Sequence, residues 1–85
     1  MLGSTNKARE QIVFRTGSAA GTVQYTVPKS KTAHLTAIQG GTSYYCRING
    51  VDIYLPANST TEFTLVGGTT IADGNNYIYF VGYLE

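Results

Sequence analysis

Cys46 and His34 are the chain's one cysteine and one histidine, and a thiol near an imidazole is the minimal nucleophile–base pair. No acid is placed to orient the imidazole, and Cys46 sits mid-strand on one face with Tyr44 and Ile48. The expectation is a small core residue for Cys46 and a surface or interface role for His34. Asp52, Glu62 and Asp73 are the carboxylates that paired chemistry such as glycoside hydrolysis would need. Asp52 and Glu62 read instead as solvent-face strand residues, and Asp73 as a turn former. Asp73-Gly74-Asn75-Asn76 starts like a calcium loop but lacks the further spaced oxygens and the distal Glu. Gly40-Gly41 and Gly67-Gly68 have no lysine and no helix behind them, so they read as turns and not as phosphate cradles. A lone cysteine makes neither an internal disulfide nor a Cys-rich zinc site. The pattern therefore implies no enzyme, no metal and no cofactor.

Tyrosine is the remaining chemistry: seven Tyr and three Phe with no Trp. A phenol joins apolar area to a hydrogen-bonding tip, which suits subunit interfaces and glycan-binding faces alike. Tyr77, Tyr79 and Tyr83 alternate along the last strand and are the best candidates for such a surface. Lys7, Arg9 and Arg15 are candidates for polar contacts near the N-terminal arm. Subunit contact is favoured over glycan binding, because glycan platforms often use Trp.

The elements that must position these residues are short and extended. Residues 1–10 are polar and without period, and read as a flexible N-terminal arm. Residues 11–85 read as a single β domain. Strands are expected at 11–16, 22–27, 32–39, 42–48, 51–55, 60–66, 69–72 and 77–84, about eight in all, with no helical period between them. In 22–27, Val23, Tyr25 and Val27 should share a face, and Pro28 ends the strand because it has no N–H for the ladder. Ala33, Leu35 and Ala37 should lie opposite His34, Thr36 and Ile38. Asn49-Gly50, between Ile48 and Val51, is the strongest local signal: a two-residue type I′ hairpin turn. The last strand is apolar or aromatic on both faces, as a strand that is central or pressed on a partner would be. The fold class is all-β, a small antiparallel sandwich of jelly-roll type.

Composition narrows the function. Eighty-five residues lie near the lower limit for a self-sufficient core, so burial against copies of the same chain is the expected staple. Charged residues are 13% of the chain and the net charge is +1. The six cations are scattered and offset by five acids, which argues against a nucleic-acid partner. No signal-peptide core and no apolar run of membrane-spanning length is present, so no membrane partner is expected. Asn58-Ser59-Thr60 matches a glycosylation acceptor pattern, but turns favour these residues in any case.

Tyr25-Thr26-Val27-Pro28, Lys31-Thr32-Ala33, Arg47-Ile48-Asn49-Gly50-Val51-Asp52, Leu55-Pro56-Ala57-Asn58-Ser59-Thr60, Gly68-Thr69-Thr70-Ile71 and Val81-Gly82-Tyr83 form a recurring series. This series resembles small β-sandwich structural proteins of tailed-bacteriophage virions. The likeness covers about residues 25–85 and consists largely of turn chemistry. Ser30 departs from it where glycine is usual, a change that fits if that turn position has negative φ. The resemblance implies a non-enzymatic virion protein, repeated many times and often trimeric. A short chain without a fibrous shaft fits a capsid decoration (cement) protein, made in the host cytoplasm and residing on the capsid surface. Its expected partners are itself, as a homotrimer, and the major capsid protein or other virion proteins. A tail, neck or receptor-binding virion component and a glycan-binding β-sandwich module are the alternatives.

Overall fold

The computed structural model describes residues 9–41 and 44–85 of the chain. Its strands are β1 (Glu10–Thr16), β2 (Val23–Thr26), β3 (Thr32–Ile38), β4 (Tyr44–Ile48), β5 (Val51–Leu55), β6 (Thr60–Val66), β7 (Thr70–Ala72) and β8 (Ile78–Leu84). They form two four-stranded antiparallel sheets, in the orders β1-β8-β3-β6 (sheet A) and β2-β7-β4-β5 (sheet B). The pairings β4·β5, β3·β6, β2·β7 and β1·β8 are nested about the Asn49-Gly50 turn. The chain is thus a long two-stranded ribbon rolled into a sandwich, which is the jelly-roll arrangement.

The turn at the ribbon's tip has the expected chemistry. Asn49 and Gly50 both have positive φ, 52° and 78°, as a type I′ turn requires. The Asn49 side-chain oxygen also accepts the Thr70 N–H at 3.0 Å, tying the tip to β7. Asn58 is the other non-glycine residue with positive φ among those described. Its turn closes through the Ser59 hydroxyl, which donates to the Pro56 carbonyl. Ser30 is not in the left-handed region, so its turn does not require glycine.

Alternation delivers the core. Ala33, Leu35 and Ala37 of β3, and Ile78, Phe80 and Leu84 of β8, face inward and are buried. Val27, Cys46, Leu55 and Ile71 meet them from the sheet B side. An aromatic spine links the layers: Phe14 stacks on Tyr25 at 5.0 Å and on Phe80 at 4.8 Å. β8 is a central strand of sheet A, as its two-sided composition predicts. Its outward face is nevertheless open to solvent at Tyr79 and Val81.

One expectation needs correction. Val23 does not share a face with Tyr25 and Val27, because a register shift between Val23 and Tyr25 pairs Val23 with Ala72 and Tyr25 with Ile71. The extra residue of the bulge inverts the alternation and leaves Val23 exposed. Asp73 lies in the expected turn, between β7 and β8, and is buried there, only 3% exposed. Its carboxylate accepts the Gly17 N–H at 2.7 Å, and its backbone pairs with Thr22 and Gly21. It clamps the β1–β2 connection onto the β7–β8 connection.

Close strand approach explains two glycines whose φ is not positive. A Cβ at Gly82 would collide with the His34 backbone, and one at Gly74 with the Tyr45 backbone. Backbone cannot yield as a flexible side-chain tip can. Gly82→Ala is expected to destabilise the fold by about 3 kcal/mol. Gly40→Ala, where a Cβ meets nothing within 4 Å, should be neutral or slightly stabilising. Urea denaturation of the two variants checks the contrast. Asp73→Ala should cost about 1–3 kcal/mol in the same assay, because it strands the Gly17 N–H.

Candidate interaction surface

The outer face of sheet A is built by register. Three cross-strand rows point to solvent: Gln11–Tyr83–His34–Thr64, Val13–Val81–Thr36–Glu62 and Arg15–Tyr79–Ile38–Thr60. Strand pairing thereby gathers Tyr79, Tyr83 and Arg15 on one face. Tyr77 lies just before β8 at the same end as Arg15. Lys7 lies outside the described residues.

Arginine and tyrosine meet in two pairs. The Arg9 guanidinium sits 4.4 Å from the Tyr83 ring centroid, and Arg15 sits 4.4 Å from that of Tyr77. Each cation lies over the negative face of a ring, one at each end of β1. Tyr83 is also stacked on His34 at 4.8 Å, so its ring is held between guanidinium and imidazole. The His34 Nε2 lies 2.6 Å from Glu85 Oε1, and Glu85 reaches Arg9 at 4.0 Å. The Glu85 backbone pairs with that of Thr32, which fixes the carboxylate beside the ring.

Between these ends lies an apolar patch. Val13 is 75% exposed, Tyr79 53%, Ile38 43% and Val81 38%. They are neighbours by register, with Val13 opposite Val81 and Tyr79 opposite Ile38. Contiguous exposed apolar surface on a rigid sheet marks contact sites. Val13 and Ile38 were not singled out from the sequence. Alternation puts each on a definite face, but only the pairing of β1 with β8, and of β8 with β3, makes them neighbours.

Next to the patch, between the first two rows, is a half-open slot of 380 Å³ lined by His34, Thr36, Glu62, Thr64, Val81 and Tyr83, with Leu35, Phe63 and Gly82 beneath. The outer face of sheet B is smaller in chemistry. Tyr45 and Tyr54 pack at 4.9 Å, and Arg47 Nε donates to Asp52 at 2.9 Å. The Asp52 hydrogen bond and charge raise the arginine's pKa.

The sequence candidates for catalysis are not brought together. His34 points out of sheet A, whereas Cys46 faces the core from sheet B and is fully buried. Asp52 and Glu62 lie on the outer faces of different sheets, and Asp73 is engaged in its clamp. Among the described residues no group of three or more His, Cys, Asp or Glu side chains could hold a metal ion. No helix among them is long and apolar enough to cross a membrane.

Comparison with protein-family models, with curated proteins and with solved structures returns no match for this chain.

Burial pushes the Cys46 thiol up to about 11. A raised acid pKa means a scarce thiolate, about one part in a thousand at pH 8, and the thiolate is the reactive species. A maleimide should leave the native chain unmodified at pH 8 and label it fully in denaturant. The sign also fixes a pH trend. The neutral thiol favours the folded state, so this contribution is complete below the unfolded-state value and is lost as pH rises toward 11. Chemical denaturation between pH 9 and 11 should show falling stability, and Cys46→Ala should reduce that slope, leaving the part due to Tyr25, whose pKa burial and Glu10 also raise.

Proposed function

We propose that this chain is a non-enzymatic structural protein of a tailed-phage virion, a capsid decoration (cement) protein acting as a homotrimer on the head surface. The observation that carries the reading is the outer face of sheet A: exposed Val13, Ile38, Tyr79 and Val81 between two Arg–Tyr pairs. Tyr and Arg are enriched where contact energy concentrates, and fully desolvated aromatic centres with polar margins are the usual anatomy. The sheet beneath is stiff, so little order is lost on contact. The phage-like motifs support the reading from another side. Arg47–Asp52 forms the β4–β5 hairpin and Leu55–Thr60 the β5–β6 connection, which makes these motifs scaffold, while the contact face carries the chain's own chemistry.

In this role the apolar part of the face is buried between subunits or against the shell, formed by the major capsid protein or other virion proteins. A trimer over a local symmetry axis bridges neighbouring capsomers and resists internal pressure. Each contact is weak, and tethering to the others multiplies the net attachment.

Light scattering over a dilution series should give the mass of a trimer. Tyr79→Asp places a charge where it must be desolvated and should weaken the trimer by about 2 kcal/mol, with the monomer still folded. Co-sedimentation with phage heads lacking this protein should retain the wild-type trimer and lose the variant. A stable monomer at all concentrations, or no retention by heads, would remove the proposal.

A further inference from the structure

The slot beside the patch has its own chemistry. Two of the outward rows form its walls, Tyr83–His34–Thr64 on one side and Val81–Thr36–Glu62 on the other. Residues two apart on a strand are about 6.6 Å apart, so the rows stand off by that distance. The backbone at Gly82, Leu35 and Phe63 forms the floor. The first wall is held upright: Tyr83 is fixed between Arg9 and His34, and His34 by Glu85. It is therefore preformed, and a ligand need not organise it.

The lining selects a ligand class. A volume of 380 Å³ is near the lower end of the roughly 300–1,000 Å³ seen for small-molecule sites, and has room for one sugar ring. No lysine or arginine lines the slot, and Glu62 stands in its wall, so anions are repelled. Val81 is the one aliphatic side chain in the walls, with Leu35 and Phe63 beneath, too little for a purely apolar guest. Two threonine hydroxyls and a phenol supply neutral donors and acceptors, while Val81 offers a C–H contact. A cation would find a single carboxylate, Glu62, and no second acid among the lining residues.

We infer that the slot between the Tyr83–His34–Thr64 and Val81–Thr36–Glu62 rows is a low-affinity binding site for a single neutral pyranose unit. The inference does not rest on the virion reading, although Val81 is shared by the slot wall and the apolar patch.

The test is titration of the ¹⁵N-labelled protein with methyl α-glucopyranoside, with a uronic acid glycoside and with n-butylammonium in parallel. The expected result is saturable amide shifts at Gly82, Leu35 and Phe63 with the neutral glycoside, at millimolar affinity, and none with the uronate. Thr36→Val should weaken binding roughly fivefold, the loss of one ordinary hydrogen bond, while its amide spectrum reports an unchanged fold. Glu62→Gln should retain neutral binding and admit the uronate. A linear oligosaccharide that binds no tighter than the monoside identifies a free sugar as the source; affinity rising with chain length identifies a glycan. The inference is overturned if the neutral glycoside leaves these amides unmoved. It is also overturned if butylammonium shifts them more strongly and Glu62→Gln abolishes that response.

Discussion

Pairing nested about the Asn49-Gly50 turn is the constraint on which the rest of this molecule depends. Two residues with positive φ reverse the chain at the ribbon's tip, and each successive pair of strands then closes a longer loop. The outermost pair, β1·β8, joins residues at the two ends of the described chain. Nearly all stabilising contacts are therefore remote in sequence, an arrangement that folds slowly because loop-closure entropy is lost before the pairings return it. The tip supplies the one local event. Asn49 contributes twice, through its backbone conformation and through its side-chain bond to Thr70, which connects the innermost hairpin to the next turn of the ribbon.

The rolled ribbon explains why the chemistry gathers on sheet A. β1 and β8 are the last strands to be joined, and their registry places Arg15 beside Tyr79 and carries Arg9 and Tyr83 to the same end. No hairpin could assemble that face. It exists only when the whole sandwich is closed, so display of the surface is coupled to completion of folding. Sheet B, in contrast, contains the local β4–β5 hairpin, and its outer residues satisfy one another as Tyr45–Tyr54 and Arg47–Asp52 pairs. Sheet B also exposes Tyr54 and Val23, and what distinguishes sheet A is that register makes its exposed apolar groups neighbours.

Much of the architecture is legible in the residues, and the illegible parts have physical reasons. Clean alternation in β3 gives the buried Ala33, Leu35 and Ala37, because one face of a period-two strand must meet the core. Asn49-Gly50 gives its turn because few residue pairs tolerate positive φ twice. Strand order is not written locally: the same alternating strands could be joined in several sequences of neighbours, and only collective packing chooses among them. The β2 bulge hides for a similar reason, since Val23, Gln24 and Tyr25 read as regular alternation until β7 supplies one residue fewer. The burial of Asp73 is illegible because its partner, the Gly17 amide, is a backbone group far away in sequence. Among the candidate contact residues, the tyrosine row of β8 could be read from alternation, whereas Val13 and Ile38 join it only through neighbouring strands.

Val81 is common to the apolar patch and the slot on sheet A, flanking the one and forming part of the other's wall. A partner that covers Val13, Tyr79 and Ile38 will press on Val81 but stop short of Thr64 and Glu62, which lie on the edge strand β6 beyond β3. The slot's outer half then stays open while its Val81 end becomes drier and more enclosed. Enclosure strengthens each hydrogen bond made there by lowering the local dielectric. A face of this shape can be occupied by a protein across β1, β8 and the Ile38 end of β3 while Thr64 and Glu62 remain accessible, because they stand on β6, the edge strand of the sheet.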